Sequence, residues 1–298
     1  WMDYKKVITN SPNTIKRHEQ HYRKYFLGSV LNTKAVSSID ELFLEKFCNS
    51  IIKEHNLTRK EWTNIKTILN GCFEYAYRKH YITDNPLDKV NIYVKYRQVV
   101  RKTGATQTYN TDELKHLNKY LDDMYAETKD TAFLAVKLNF LLGLRVGELV
   151  ALKFSDVCGQ KLHIVREEIR NQETNEVDIV EHTKTHTDRF VVLIPQALDI
   201  INSIPQNSEF IFVRGTKRIT ARQIAYVLEK YAERQGKKTK STHKMRKTYA
   251  SNLNAKGVPL DAIREQLGHS DLQTTMTYIY NPLTETETYE LIKNALTQ

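Results

Sequence analysis

Leu267-Gly268-His269-Ser270 is followed, nine residues after the histidine, by Tyr278. Upstream stand Thr242-His243-Lys244-Met245-Arg246 and, earlier still, Gly143-Leu144-Arg145-Val146-Gly147-Glu148-Leu149. This order supplies guanidinium cations that can hold a phosphodiester, imidazoles that can move protons and a phenol that can attack phosphorus. A phenol has an ordinary pKa of about 10, so only about one in a thousand is ionised at neutral pH. An attacking tyrosine therefore needs neighbouring cations or a base. A guanidinium stays charged and offers a planar fork of donors, suited to phosphate oxygens that gain charge in a transition state. His243 and Arg246, at i and i+3 of a helix, share a face. Glu148 stands three residues after Arg145 and can pair with it. His269 precedes a helix start read at Ser270, whose free amides suit a phosphate. With seventeen tyrosines in the chain, Tyr278 stands out only by spacing, and Tyr280 is its alternative on another helical face.

The whole chain agrees with a polyanionic partner. It has 298 residues, a net charge of +10 and 40% hydrophobic residues. That length favours two domains over one, with a real core, and the basic balance argues for a polyanionic partner without bearing on the fold. No apolar run is long enough to cross a membrane, and no cleavable signal is visible. Cys48, Cys72 and Cys158 are scattered and form no metal-ligand spacing, which reads as reduced core thiols in a cytoplasmic protein. Trp1 in place of an initiator methionine suggests a chain that begins inside a longer protein.

The pattern outward from the motifs predicts a mainly α protein with a small antiparallel sheet (α+β). Residues 10–92 read as helical, with Ser11-Pro12-Asn13-Thr14 as a start. Residues 39–55 place Leu42, Phe43, Phe47, Ile51 and Ile52 on one stripe, and residues 58–81 do the same with Trp62, Ile65, Leu69, Phe73 and Ala76. Asn85-Pro86 then breaks the pattern. Residues 94–108 lack periodicity, carry Arg97 and Arg101, and read as a basic linker. Thr111 is a candidate cap for a helix over 112–125, and residues 131–142 form an apolar helix that Gly143 ends. Residues 161–170, 177–183 and 189–195 alternate like strands. Helices follow over 220–235, 242–256, 259–267, from Ser270 through Tyr278, and 285–296. The run from 214 to 247 is strongly basic, with Lys217, Arg218, Arg222, Lys238, Lys240 and Lys244, and reads as a grip on a phosphate backbone. His182 and His186 at i and i+4 would stand roughly 13 Å apart on a strand, so no metal site is read there.

These motifs resemble the tyrosine recombinase (phage integrase) family, in the manner of a phage or conjugative-transposon integrase, over about residues 107–282. The resemblance implies a helical core-binding domain at 1–93, a linker at 94–108 and a catalytic domain at 109–298 with a C-terminal helix at 285–297. Together these would form a C-shaped clamp on double-stranded DNA. It selects Tyr278 as nucleophile, with Arg145, His243, Arg246 and His269 around the phosphate and Glu148 supporting Arg145. It points to Lys184, in the turn before the third strand, as general acid. The implied reaction makes a 3′-phosphotyrosine, passes through a Holliday junction and needs no cofactor or metal. The implied assembly is a homotetramer on two duplexes that exchanges C-terminal helices, and an accessory excision factor is a further partner. Integration or excision of a mobile element in a bacterial or phage-encoded, nucleoid-associated setting would be the role. An N-terminal arm-binding module of some relatives is missing here, as if removed. A type IB topoisomerase-like relaxation enzyme would use the same residues. A non-catalytic DNA-binding protein would need only the basic surface.

Overall fold

A computed structural model describes residues 1–9, 12–100, 102–171, 174–183 and 188–297. The chain divides into two units, Trp1–Arg101 and Lys102–Gln298. The first holds α1 (Met2–Ile8), α2 (Pro12–Tyr25), α3 (Glu41–Glu54) and α4 (Arg59–Arg78). Asp40 caps α3 by accepting from Phe43 N at 2.7 Å, and Thr58 with Glu61 forms a capping box on α4. These side chains satisfy amides that a helix start leaves orphaned. The α4 stripe is buried as read, from Trp62 to Ala76. On α3 the buried face is Leu44, Phe47, Cys48, Ile51 and Ile52, while Leu42 is 76% exposed. Leu42 lies two residues, about 200° of helix rotation, from Leu44, so it faces the far side.

Two further expectations are corrected here. Only Cys48 is a core thiol, since Cys72 and Cys158 are exposed. Residues 94–108 do not form a uniform loop. Val94 and Tyr96 pack on the first unit's core, and Arg97 N donates to Leu57 O at 2.9 Å. Further on, α5 (Gly104–Gln107) is a helical turn of the second unit. Alternate apolar side chains explain the docking of the first part.

In the second unit, α6 (Thr111–Thr128), α7 (Thr131–Leu142) and α8 (Val146–Val150) come first. Asn110, not Thr111, caps α6, accepting from Glu113 N at 2.8 Å. Then come β1 (Val157–Cys158), β2 (Lys161–Ile164), β3 (Glu167–Arg170), β4 (Val177–Val180), β5 (Arg189–Val192), α9 (Pro195–Asn202), β6 (Val213–Arg214) and β7 (Lys217–Arg218). The chain ends in α10 (Ala221–Arg234), α11 (Thr242–Ala255), α12 (Leu260–Leu267), α13 (Leu272–Met276) and α14 (Glu285–Leu296). The α7 helix is apolar on nearly every face because α6, α9, α10 and α11 all pack on it.

The architecture is mainly helical with small antiparallel sheets, and the strands differ in grouping from the expectation. The run 161–170 splits into β2 and β3, which belong to separate sheets: β1-β2-β5 and β3-β4. The break falls at Arg166, whose Nη1 bonds Asp156 at 2.7 and 2.8 Å. That buried ion pair turns the chain out of the first sheet.

The helix read from Ser270 through Tyr278 is also shorter. Asp271 caps α13, accepting from Thr274 N at 2.7 Å, and α13 stops at Met276. Three threonines, Thr274, Thr275 and Thr277, are weak helix formers. Thr277 Oγ1 also bonds back to Thr274 O at 2.7 Å. Tyr278 therefore stands just beyond the helix, and the free helix amides expected beside His269 are partly occupied by Asp271.

Candidate active site

The site forms where two helices end. Gly143 closes α7 at φ 62° and Gly268 closes α12 at φ 61°, a left-handed backbone that glycine adopts without a Cβ penalty. Both are also crowded. A Cβ on Gly143 would stand 2.3 Å from the Tyr249 ring, and one on Gly268 2.8 Å from Arg189 Cδ. The C-terminal carbonyls of these helices carry partial negative charge, and three arginines cap them. Arg246 Nη1 donates to Gly143 O at 2.7 Å and Nη2 to Leu267 O. Arg145 Nη2 donates to Gly268 O at 3.2 Å. Arg189 Nε donates to Gln266 O at 3.2 Å.

One buried carboxylate organises this cluster. Glu148 Oε1 accepts from Arg145 Nη1 at 2.8 Å and Arg189 Nη1 at 3.0 Å. Its Oε2 accepts from Arg145 N at 2.9 Å and Arg189 Nη2 at 2.7 Å. Burial would raise the Glu148 pKa, but the Arg189 hydrogen bonds and charge, with Arg145 and Arg246, hold it at about 2. Three cations thus share one anion, and the excess is positive. Burial first, then the charges of Arg145 and Arg189, lowers the Arg246 pKa to about 10. It still stays protonated at neutral pH.

Tyr278, half-buried, lies against this cluster. Its ring centroid is 4.9 Å from that of His243 and 4.6 Å from that of His269, both edge-on. Arg246 Cζ stands 5.7 Å from the same centroid. Burial, then the charges of Lys247 and Arg246, pushes the His243 pKa down to about 4. Burial, Arg246 and Arg145 push His269 to about 3. Both imidazoles are therefore neutral at pH 7, and His243 can accept a proton. His269 Nδ1 is 3.0 Å from Thr275 Oγ1. Among the described residues, His269 Nε2 and Arg246 Nε are buried without a hydrogen-bond partner. Buried polar atoms of this kind call for an explanation, and a phosphate oxygen between them would supply one. Its negative charge would also raise both histidine pKa values.

The structure thus brings Arg145, Glu148, His243, Arg246, His269 and Tyr278 together. Lys184, His186 and Arg101 lie outside the described residues. No group of three metal-ligating side chains occurs among the described residues. Most of the basic residues read as DNA contacts already hold other parts of the protein. Arg218 donates to Glu168 at 2.6 Å, Lys240 to Glu113 at 2.6 Å and Lys244 to Thr106 O at 2.7 Å. Arg97 pairs with Glu61 at 3.1 Å and Arg222 with Glu229 at 2.5 Å. Lys217 and Lys238 are exposed. Burial and neighbouring lysines lower the Lys244 pKa to about 8.

Sequence reasoning missed Arg189 and Thr275. Arg189 is the second arginine on Glu148, and the sheet register that starts β5 opposite Ile164 delivers it there. No local pattern links positions 148 and 189. Thr275 sits in a threonine run whose members look alike until one is buried.

Comparison with known proteins places the chain in a family. Residues 107–284 match the phage integrase family. A tyrosine recombinase of Thermosipho africanus is 25% identical over 293 residues, covering 96% of this chain and 94% of its own. A XerC-like tyrosine recombinase of Caldanaerobacter subterraneus subsp. tengcongensis is 24% identical, covering 90% of this chain and 74% of its own. Among solved structures, the Tn1549 transposon integrase bound to circular intermediate DNA superposes with a TM-score of 0.70 at 18% identity, over 97% of this chain and 96% of that one. A lambda integrase dimer bound to a core site gives a TM-score of 0.63 at 15% identity, over 94% and 93%. No helix among the described residues is long and apolar enough to cross a membrane. The chain belongs to the phage integrase family and is a tyrosine site-specific recombinase that acts on DNA.

Proposed function

We propose that this recombinase integrates or excises a mobile element through a covalent phosphotyrosine. The observation that carries the reading is one half-buried phenol set between two neutral imidazoles and a guanidinium cluster of excess positive charge. The Tyr278 oxygen attacks phosphorus, and its proton passes to His243. The bond from phosphorus to the 5′ oxygen breaks, leaving a 3′-phosphotyrosine and a 5′-hydroxyl. Arg145, Arg246 and His269 hold the phosphate oxygens as charge grows, while Glu148 keeps Arg145 in place. Attack by the partner strand's 5′-hydroxyl reverses the step, and two rounds resolve a Holliday junction. The bond energy stays in the phosphotyrosine, so the scheme uses no ATP or metal. Likeness in fold to transposon and phage integrases supports the mobile-element role. Lys217 and Lys238 are the basic residues best placed by exposure to meet the DNA backbone. The test is a duplex spanning the joined ends of the DNA segment that encodes the protein, nicked beside the cleavage site. A trapped protein–DNA adduct whose linked peptide contains Tyr278 is the expected product. Absence of any adduct would refute the covalent scheme.

Lys184 is proposed as the acid that protonates the leaving 5′ oxygen. A substrate with sulfur at that position loses a thiolate, which leaves without a proton. The sulfur substrate should therefore restore cleavage to Lys184→Ala and leave Arg145→Ala impaired. Single-turnover rates on both substrates decide it, and no gain for Lys184→Ala places the acid elsewhere.

Assembly is proposed as a tetramer of this chain on two duplexes. Tyr289, Ile292 and Leu296 form one stripe of α14 and are 64%, 55% and 79% exposed. An isolated helix of that length is marginal in water without a docking partner. A groove of about 800 Å³ between α6 and α11 has Leu114, Ala255 and Leu283 among polar residues in its wall, and Glu287 of this chain's own α14, bonded to Thr111, stands at its edge; the rest of it is the proposed seat for a neighbour's α14. Head-to-tail docking of this kind closes in a ring when the rotation between neighbours completes a circle, as the proposed tetramer requires. Deleting residues after Pro282 should abolish paired-duplex complexes in a gel-shift assay while single-site affinity holds. Normal pairing by the truncated protein would remove the idea.

A further inference from the structure

Tyr278 lies outside any helix, yet its segment is tied down. Ser251 Oγ donates to Tyr278 O at 3.1 Å and accepts from Tyr280 N at 3.0 Å. One hydroxyl thus ties the Tyr278 carbonyl to the Tyr280 amide, across Ile279. Ser251 is fully buried on α11, and it lies five residues after Arg246. One helical turn before Ser251, buried Lys247 Nζ donates to the equally buried Gln107 Oε1 at 2.9 Å. The same Nζ is 3.5 Å from the Tyr280 hydroxyl. It stands 4.8 Å from the Tyr280 ring centroid and 5.8 Å from that of Tyr278. Among the described residues, Lys247 makes no ion pair with a carboxylate, so this amide and these two rings are what compensate its burial. On the other side, Gly104 packs against Asn281, and a Cβ there would stand 2.3 Å from the Asn281 carbonyl oxygen.

We propose that Ser251, Lys247, Gln107 and Gly104 form a seat for residues 278–281, and that Tyr280 is its peg, a positioning residue for Tyr278. This rests on Tyr278 being the nucleophile. The α11 helix then sets both halves of the reaction. Its first turn brings His243 and Arg246 to the phosphate, and its later turns hold the attacking residue against them. Attack demands reacting atoms about 3–3.5 Å apart, and a misplacement of about 1 Å costs on the order of 10²-fold in rate. The seat fixes the backbone just after the phenol, while Tyr278 N donates to Thr275 O at 2.9 Å just before it, and together these meet that demand. The seat also explains a second tyrosine so close to the first. The Tyr280 hydroxyl lies 3.5 Å from Lys247 Nζ.

The experiment compares the unaltered protein with Ser251→Ala, Ser251→Thr, Tyr280→Phe and Gly104→Ala. Amide hydrogen exchange at Tyr280 is read without DNA. The rate of adduct formation on the nicked duplex is read across DNA concentrations. Ser251→Ala should speed exchange at Tyr280 at least about 10-fold and lower the maximal adduct rate about 10- to 100-fold. The half-saturating DNA concentration should not move, and linkage should remain at Tyr278. Ser251→Thr, which keeps the hydroxyl, should restore both readings. Tyr280→Phe and Gly104→Ala reach the seat from other sides and should lower the maximal rate in the same way, which keeps the test alive if Ser251→Ala misfolds. Unchanged exchange in Ser251→Ala would overturn the seat. Faster exchange with an unchanged adduct rate in all variants would overturn the positioning role, as would a loss confined to DNA affinity. If the unaltered protein made no adduct, the covalent reading would fail, and the exchange arm would still decide whether the segment is held.

Discussion

Tyr278→Phe is expected to bind DNA with unaltered affinity and to form no covalent adduct, a loss of at least about 10⁴-fold in cleavage. The change removes one oxygen and keeps the ring. The edge-on contacts with His243 and His269 and the face presented to Arg246 are contacts of that ring, so packing should survive. The lost atom is the only one the proposed step asks to attack phosphorus. Radiolabelled nicked duplex on a denaturing gel reads the adduct, and fluorescence anisotropy reads binding. An adduct retained by Tyr278→Phe, or a linked peptide carrying Tyr280 in the unaltered protein, would sink the assignment.

Arg246→Ala is expected to lower single-turnover cleavage by about 10² to 10³-fold at saturating DNA, as the loss of one fixed donor to a developing oxyanion does. Arg246 is 1% exposed and is held by the carbonyls of Gly143 and Leu267, so its position is set before DNA arrives. Preorganisation of that kind is what makes such a donor effective. Arg246→Lys should recover little, because an ammonium cannot span two carbonyls and still face a phosphate. Alanine also leaves those carbonyls buried without donors, at about 1–3 kcal/mol each, so the melting temperature should fall as well. Rate and melting are measured on the same preparations below the lower melting point. A change in DNA affinity with an unaltered maximal rate would show that Arg246 acts in binding alone.

Much of this was legible in the chain, for identifiable reasons. The α4 stripe, α7, the glycine stops at Gly143 and Gly268, and the pairing of His243 with Arg246 follow from 3.6-residue periodicity and glycine's access to positive φ. These are local rules, and residues a few positions apart carry them. Arg145 and Glu148 fall in the same class. What was hidden depends on contacts distant in sequence. Arg189 reaches Glu148 across 41 residues, by strand register. Lys240 and Arg218 read as part of a free basic surface until their acid partners, Glu113 and Glu168, were placed beside them. The end of α13 was misread for another reason. The pattern after Ser270 is helical, but threonine hydroxyls compete for the backbone and release Tyr278 from the helix. Lys184 was reached by family resemblance alone, and its assignment stands on that.

The cluster of three guanidiniums around Glu148 has a consequence for the protein's life away from its substrate. Its three cations face one carboxylate, so two positive charges go uncompensated, and under the proposed scheme a DNA phosphate would offset part of that excess. Nucleic acid therefore acts on this chain as a ligand of the folded state, shifting the folding equilibrium by mass action. On that reading the recombinase without DNA is less stable than the DNA-bound one, and occupancy of DNA becomes one of the terms that set how much of it stays folded.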